Sequence, residues 1–94
     1  MSIKAVWHVY LLECQDGSLY CGITTDVEAR VKAHKEGKGA RYTRSHPVAG
    51  LVGSMPVGSR SDALRMELKI KRLPKHRKIA ALIAPDIFAD IADG

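Results

Sequence analysis

Apolar and polar residues alternate near the start of the chain in a pattern that predicts a β-hairpin. Residues 7–14 and 19–23 are rich in strand formers, and the turn sequence Gln15-Asp16-Gly17-Ser18 separates them. A two-residue loop would pair residue 15 with residue 18. A three-residue loop, with Gly17 in a left-handed conformation, would instead pair residue 14 with residue 18. The two registers place opposite sets of side chains on a given face of the sheet.

The three-residue loop is favoured because it separates apolar from polar side chains. In that register one face is wholly apolar, whereas the other face carries both strand tyrosines, Tyr10 and Tyr20, together with His8. The apolar face consists of Trp7, Val9, Leu11, Leu19, Cys21 and Ile23.

The pattern beyond the hairpin predicts a helix, a loop and a third strand. Thr25 and Glu28 have the spacing of a capping box, with Thr25 as N-cap, which predicts a helix over about residues 26–35. Residues 36–47 are expected to form a polar loop. Residues 48–55 are expected to form a strand that Pro56 and Gly58 end.

Two more helices are predicted after this strand. Ser59 or Ser61 caps a helix that reaches about Leu73, and Pro74 suits the first turn of a helix to about Ile83. The order strand, strand, helix, strand, helix, helix indicates an α+β domain. In such a domain the helices flank a three-stranded sheet, either mixed or antiparallel.

The chain of 94 residues is expected to form one domain over residues 1–83 with an acidic tail over residues 84–94. The tail has the apolar spacing of one short helix. Cys14 and Cys21 lack metal-site spacing and are expected to be reduced packing residues of a cytoplasmic protein. No stretch reaches the length of a membrane span, so no membrane association is expected.

The charge distribution favours a polyanionic partner. The chain has 15 Lys and Arg against 10 Asp and Glu, and three of those acids lie in the tail. A compact body with this excess of cations attracts nucleic acid, although a basic surface without a partner gives the same composition.

Glu67 interrupts the apolar side of the second predicted helix. This apolar arc comprises Ala63, Leu64, Met66, Leu68, Ile70 and Leu73. A carboxylate directed at the protein body is costly unless a partner satisfies it. That partner could be Lys71, one helical turn later, or a metal ion, or a reacting group.

Arg30 and His34 lie one turn apart beside the inward stripe of the first helix, which Val27 and Val31 define. They could be a solvated arginine and a partly buried histidine. Alternatively, they face the same space as Glu67 and the strand tyrosines. A cation, an acid–base group and a metal-binding carboxylate are what phosphodiester hydrolysis requires.

Cations cluster in the predicted loop and again after Glu67. Such clusters suit contacts with phosphates and bases, or they form a solvated surface. The candidate nucleic-acid-binding residues are Lys38, Arg41, Tyr42, Arg44, Lys71 and Arg72.

The ordered set of short motifs resembles the GIY-YIG nuclease superfamily, in particular its small stand-alone bacterial members. His8-Val9-Tyr10 matches the first motif and Tyr20-Cys21-Gly22 the second, and Arg30, His34 and Glu67 follow in order. His8 stands where the first motif has glycine. The chain contains no Asn, whereas some members place an amide side chain near the phosphate.

The resemblance implies a metal-dependent endonuclease that acts on DNA, with RNA left open, in repair or recombination. It implies one divalent ion, Mg²⁺ or Mn²⁺, held by Glu67. It further implies that Tyr20 is the general base and that Arg30 stabilises the phosphate, with Tyr10 and His34 assisting. The alternatives are a non-catalytic nucleic-acid-binding module and an accessory domain that a protein partner targets to a repair complex.

Overall fold

The computed structural model describes residues 5–83, which form a three-stranded antiparallel sheet flanked by helices. The strands are β1 (Trp7–Cys14), β2 (Leu19–Thr24) and β3 (Val48–Gly58), in the sheet order β2-β1-β3. The helices are α1 (Val27–Lys35), α2 (Arg41–Ser45), α3 (Arg60–Lys71) and α4 (Lys75–Ile83). The predicted α+β class and its element order are confirmed, with α2 as an additional element.

The hairpin has the three-residue loop. Leu11 pairs with Cys21 and Tyr10 with Gly22, and the backbone N–H of Cys14 donates to the carbonyl of Ser18. Gly17 has a φ of 85°, the left-handed conformation that this loop needs and that glycine adopts without strain. The register therefore places Tyr10 and Tyr20 on one face, as predicted.

The sheet is covered on both faces, which explains why β1 is buried on both sides. The apolar face packs against α3 and α4 in a core of Val9, Leu11, Cys21, Ala63, Ile70, Ala81 and Leu82. The tyrosine face lies under α1, which contacts β1 and β3. A central strand between two layers of helix has no solvent-facing side, so Val9 through Leu12 are all fully buried.

Several predicted boundaries were wrong. Asp26, not Thr25, is the N-cap of α1, and its carboxylate accepts from the backbone N–H of Ala29. The strand predicted to end before Pro56 continues to Gly58, because β3 is an edge strand and a proline there costs no hydrogen bond on its open side. By contrast, Ser59, one of the two predicted caps, is confirmed as the N-cap of α3.

Two further expectations are corrected or lie outside the described residues. Residues 36–47 are not wholly loop, because α2 occupies residues 41–45. Leu68 does not join the packed side of α3, since it is 54% exposed. The helix expected within residues 84–94 lies outside the part of the chain that the structure describes.

Candidate active site

Tyr10 lies at the centre of the tyrosine face and is held there by close packing. Its side chain is 1% exposed, and the centroid of its ring is 6.3 Å from that of Tyr20. The cross-strand residue is Gly22. A Cβ at Gly22 would overlap the Tyr10 hydroxyl and would lie 2.6 Å from the phenol Cζ. Glycine at this position therefore provides the space that the phenol occupies.

His34 extends from α1 onto the same face. Its Nε2 lies 2.8 Å from the Tyr10 hydroxyl oxygen, and its ring centroid is 5.1 Å from that of Tyr20. The side chain is 1% exposed, so His34 belongs to the inward side of α1 and does not lie beside it as predicted. Gly39 lies against the ring, where a Cβ would come within 2.7 Å of the His34 Cγ.

Thr43 is a site residue that the sequence patterns did not single out. Its hydroxyl oxygen lies 2.6 Å from the His34 Nδ1 and 3.0 Å from the Ala40 carbonyl, and its side chain is 2% exposed. A single threonine in a segment predicted to be a polar loop does not indicate from the sequence that its side chain is buried. Its role depends on α2, which the sequence did not predict.

Arg30 completes the cluster on the α1 side. Burial raises the pKa of Tyr10 to about 12, while a hydrogen bond from Arg30 opposes that shift. The pKa of His34 lies below its ordinary value, first because the ring is buried and second because Arg30 is close. Near neutral pH the site therefore holds a neutral phenol and a neutral imidazole beside a guanidinium.

The lowered pKa of His34 predicts a loss of stability in mild acid. The folded state binds this proton less readily than the unfolded state does, so the free energy of unfolding should fall as the pH drops from about 6.5 through the folded-state pKa. Urea denaturation between pH 7.5 and 5.5 would measure the decline. The His34→Gln variant should flatten the curve in this window, and an unchanged slope would contradict the assignment to His34.

Glu67 is carried by a different element, α3. Its side chain is 16% exposed, as its position on the inward side of α3 predicted, and the Lys71 Nζ is 3.7 Å from its carboxylate. The pKa of Cys21 is raised to about 12 by burial first and by the Glu67 charge second. Cys21 belongs to the apolar face, against which α3 packs, so Glu67 is close to β2.

The donor set around Glu67 can be compared with what a magnesium ion needs. Among residues 5–83 no group of three or more His, Cys, Asp or Glu could hold a metal ion. Mg²⁺ is commonly bound by one or two carboxylates, with waters and substrate phosphates completing the octahedron. Glu67 supplies one largely buried carboxylate, as that mode of binding requires.

The predicted cationic residues divide into two groups. Lys38, Arg41 and Arg44 are exposed around α2, and Lys71 and Arg72 are exposed at the end of α3. Tyr42 is half-buried, because its ring stacks on that of His46. The two ring centroids are 3.9 Å apart, and the Tyr42 centroid is 6.1 Å from that of Tyr20. The α2 segment is therefore packed onto the site rather than being a free loop.

His8, to which the sequence assigned no role, lies on the tyrosine face two residues before Tyr10. Its Nδ1 is buried and has no hydrogen-bond partner among residues 5–83. A buried polar atom without a partner is uncommon in folded proteins.

A comparison with protein families completes this picture. The model of the GIY-YIG catalytic domain matches residues 6–80. The chain belongs to the GIY-YIG family. Members of this family are generally endonucleases, so membership suggests a nuclease. No helix within the described range is long and apolar enough to cross a membrane.

Relatives of similar size occur in several bacteria. A UPF0213 protein of Xanthomonas axonopodis pv. citri is 51% identical over 83% of this chain and 76% of its own length. One from Cupriavidus pinatubonensis is 49% identical over 85% of this chain and 89% of its own length. The solution structure of a protein from E. faecalis has a TM-score of 0.53 at 38% identity, covering 83% of this chain and 84% of that one.

Proposed function

We propose that this GIY-YIG domain is a divalent-metal-dependent endonuclease that hydrolyses phosphodiester bonds in DNA. The observation that carries the proposal is the packed cluster of Tyr10, Tyr20, Arg30 and His34 on one face of the sheet. Branched, nicked or single-stranded DNA is the proposed substrate, in repair or recombination.

The proposed chemistry divides the work among these side chains. Tyr20 would act as a phenolate, whose oxygen accepts the proton of the attacking water and becomes a neutral phenol, and Arg30 stabilises the charge that develops on the phosphate. Tyr10 stays neutral, since burial raises its pKa to about 12, and it therefore acts as a hydrogen-bond donor. His34 orients the Tyr10 hydroxyl through their 2.8 Å contact.

Glu67 is the proposed ligand of one Mg²⁺ or Mn²⁺ ion. When bound, the ion supplies positive charge to the phosphate and to the leaving oxygen. Lys71, 3.7 Å from the carboxylate, neutralises Glu67 when no ion is bound and can turn toward a DNA phosphate. This role accounts for both the inward position of Glu67 and the exposure of Lys71.

The DNA backbone is proposed to contact the cations around the site. Lys38, Arg41 and Arg44 are exposed beside the packed Tyr42, so they can engage phosphates that flank the scissile one. Lys71 and Arg72 extend this surface along α3. Binding through several such contacts should weaken steeply as salt concentration rises.

A cleavage assay with metal removal tests the proposal. Labelled single-stranded, duplex, nicked, flap and branched DNA, with matching RNA, would be incubated with Mg²⁺, Mn²⁺ or EDTA. We expect products from one or more DNA substrates with either metal and none in EDTA. Products that persist in EDTA would contradict metal dependence. Salt-sensitive binding with no products under any condition would instead support a non-catalytic binding module.

A further inference from the structure

Thr43 connects the short helix α2 to His34. Its hydroxyl oxygen is 2.6 Å from the His34 Nδ1, and the backbone N–H of Ala40 points at the same nitrogen from 3.4 Å. On the other side of the ring, Nε2 faces the Tyr10 hydroxyl at 2.8 Å. Both ring nitrogens are thus engaged, and the proton on the neutral imidazole can occupy only one of them.

The donors on the α2 side decide which nitrogen that is. A backbone N–H is a fixed donor, so the Ala40 amide can only be accommodated by an Nδ1 that carries no hydrogen. A protonated Nδ1 could donate to the Thr43 oxygen, but it could no longer accept from the Ala40 amide. The Thr43 hydroxyl can reach Nδ1 or the Ala40 carbonyl, and the contact with Nδ1 is shorter, at 2.6 against 3.0 Å.

The Ala40 carbonyl does not need the Thr43 hydrogen. It already accepts the backbone N–H of Arg44 at 3.3 Å, within α2. The hydroxyl hydrogen of Thr43 is therefore available for His34 without leaving a buried acceptor unpaired.

We propose that Thr43 and the Ala40 amide hold His34 as the tautomer protonated at Nε2, so that His34 donates to the Tyr10 oxygen and the hydrogen of Tyr10 is not committed to His34. Thr43 is thus a positioning residue that acts through His34. In the opposite tautomer Tyr10 would donate its hydrogen to Nε2.

The consequence for catalysis rests on the proposed nuclease function, whereas the tautomer does not. The same short helix carries Arg41 and Arg44 on its exposed side and Thr43 on its buried side. A segment that contacts DNA phosphates therefore also sets the hydrogen bond within the site.

The tautomer is measured directly by the ¹⁵N chemical shifts of the His34 ring at pH 7.5, where the imidazole is neutral. We expect a protonated Nε2 and a bare Nδ1 in the unmodified protein. In Thr43→Val, which keeps the shape and removes the hydroxyl, the population protonated at Nδ1 should rise. Thr43→Ser keeps the hydroxyl and should retain the original tautomer. A protonated Nδ1 in the unmodified protein, or unchanged shifts in Thr43→Val, would overturn the proposal.

Cleavage rates give a second, separable readout. Loss of a group that orients a histidine typically reduces activity about 10- to 100-fold, so Thr43→Val should lower kcat by that factor while Thr43→Ser does not. The KM for DNA should stay the same in both variants. Correct tautomers in a protein that cleaves nothing would refute the nuclease function alone, whereas equal kcat in both variants would refute the positioning role.

Discussion

Glu67→Gln is expected to lower Mg²⁺-dependent cleavage by at least about 100-fold, because an amide binds a divalent cation far more weakly than a carboxylate does. The change keeps the shape of the side chain and its position beside Cys21. Binding of DNA should remain, since the change removes none of the cations around α2 and at the end of α3. Single-turnover cleavage and a binding titration in EDTA would separate the two effects.

The matched control for Glu67→Gln is Glu36→Gln, the same chemical change at an exposed glutamate on the α1 C-cap. It should cleave at the unmodified rate. If Glu67 serves only as the partner of Lys71, its replacement should cost a few tenths of a kcal/mol in stability and leave cleavage intact. Rates within twofold of the control would therefore reject Glu67 as the metal ligand.

Gly22→Ala is expected to disrupt the site from within the sheet. The added Cβ would overlap the Tyr10 hydroxyl, and Tyr10 cannot swing away because its side chain is 1% exposed and packed on His34. Overpacking of this kind typically costs about 1–3 kcal/mol of folding free energy. Cleavage should fall about 100-fold as well, because displacing the phenol misplaces its hydrogen bond with His34.

Gly50→Ala is the control for this variant. Gly50 also lies in a strand of the same sheet, but a Cβ there would meet nothing within 4 Å. Urea denaturation and cleavage assays on both variants would show whether the effect is local to Tyr10. Equal stability and activity in the two variants would contradict the close packing of Gly22 against the phenol.

The hairpin shows how much a local pattern can determine. Side chains alternate with a period of two, so only one register places the apolar residues of β1 and β2 together, and Gly17 supplies the turn for that register. The same alternation brought Tyr10 and Tyr20 onto one face. The inward position of Glu67 followed in the same way from the period of 3.6 residues in a helix, which places it among the apolar residues of α3.

The family motifs supplied the candidate residues but not their arrangement. Tyr10, Tyr20, Arg30 and His34 are close together, as the shared face predicted, whereas Glu67 lies on the α3 side of the sheet. Which side of a strand a helix covers depends on the chain connections between them. That information is not contained in the periodicity of either element.

The sequence by itself determined the strand register, the α3 and α4 helices and the identity of the tyrosine face, because each depends on neighbours within a few residues. Only the tertiary structure decided the role of α2, the burial of Thr43 against His34 and the need for glycine at Gly22 and Gly39. A helix of five residues is too short to be stable alone, so it forms because it packs on the site. The space for the Tyr10 phenol likewise depends on Gly22, which is distant in sequence, so a local sequence pattern cannot predict it.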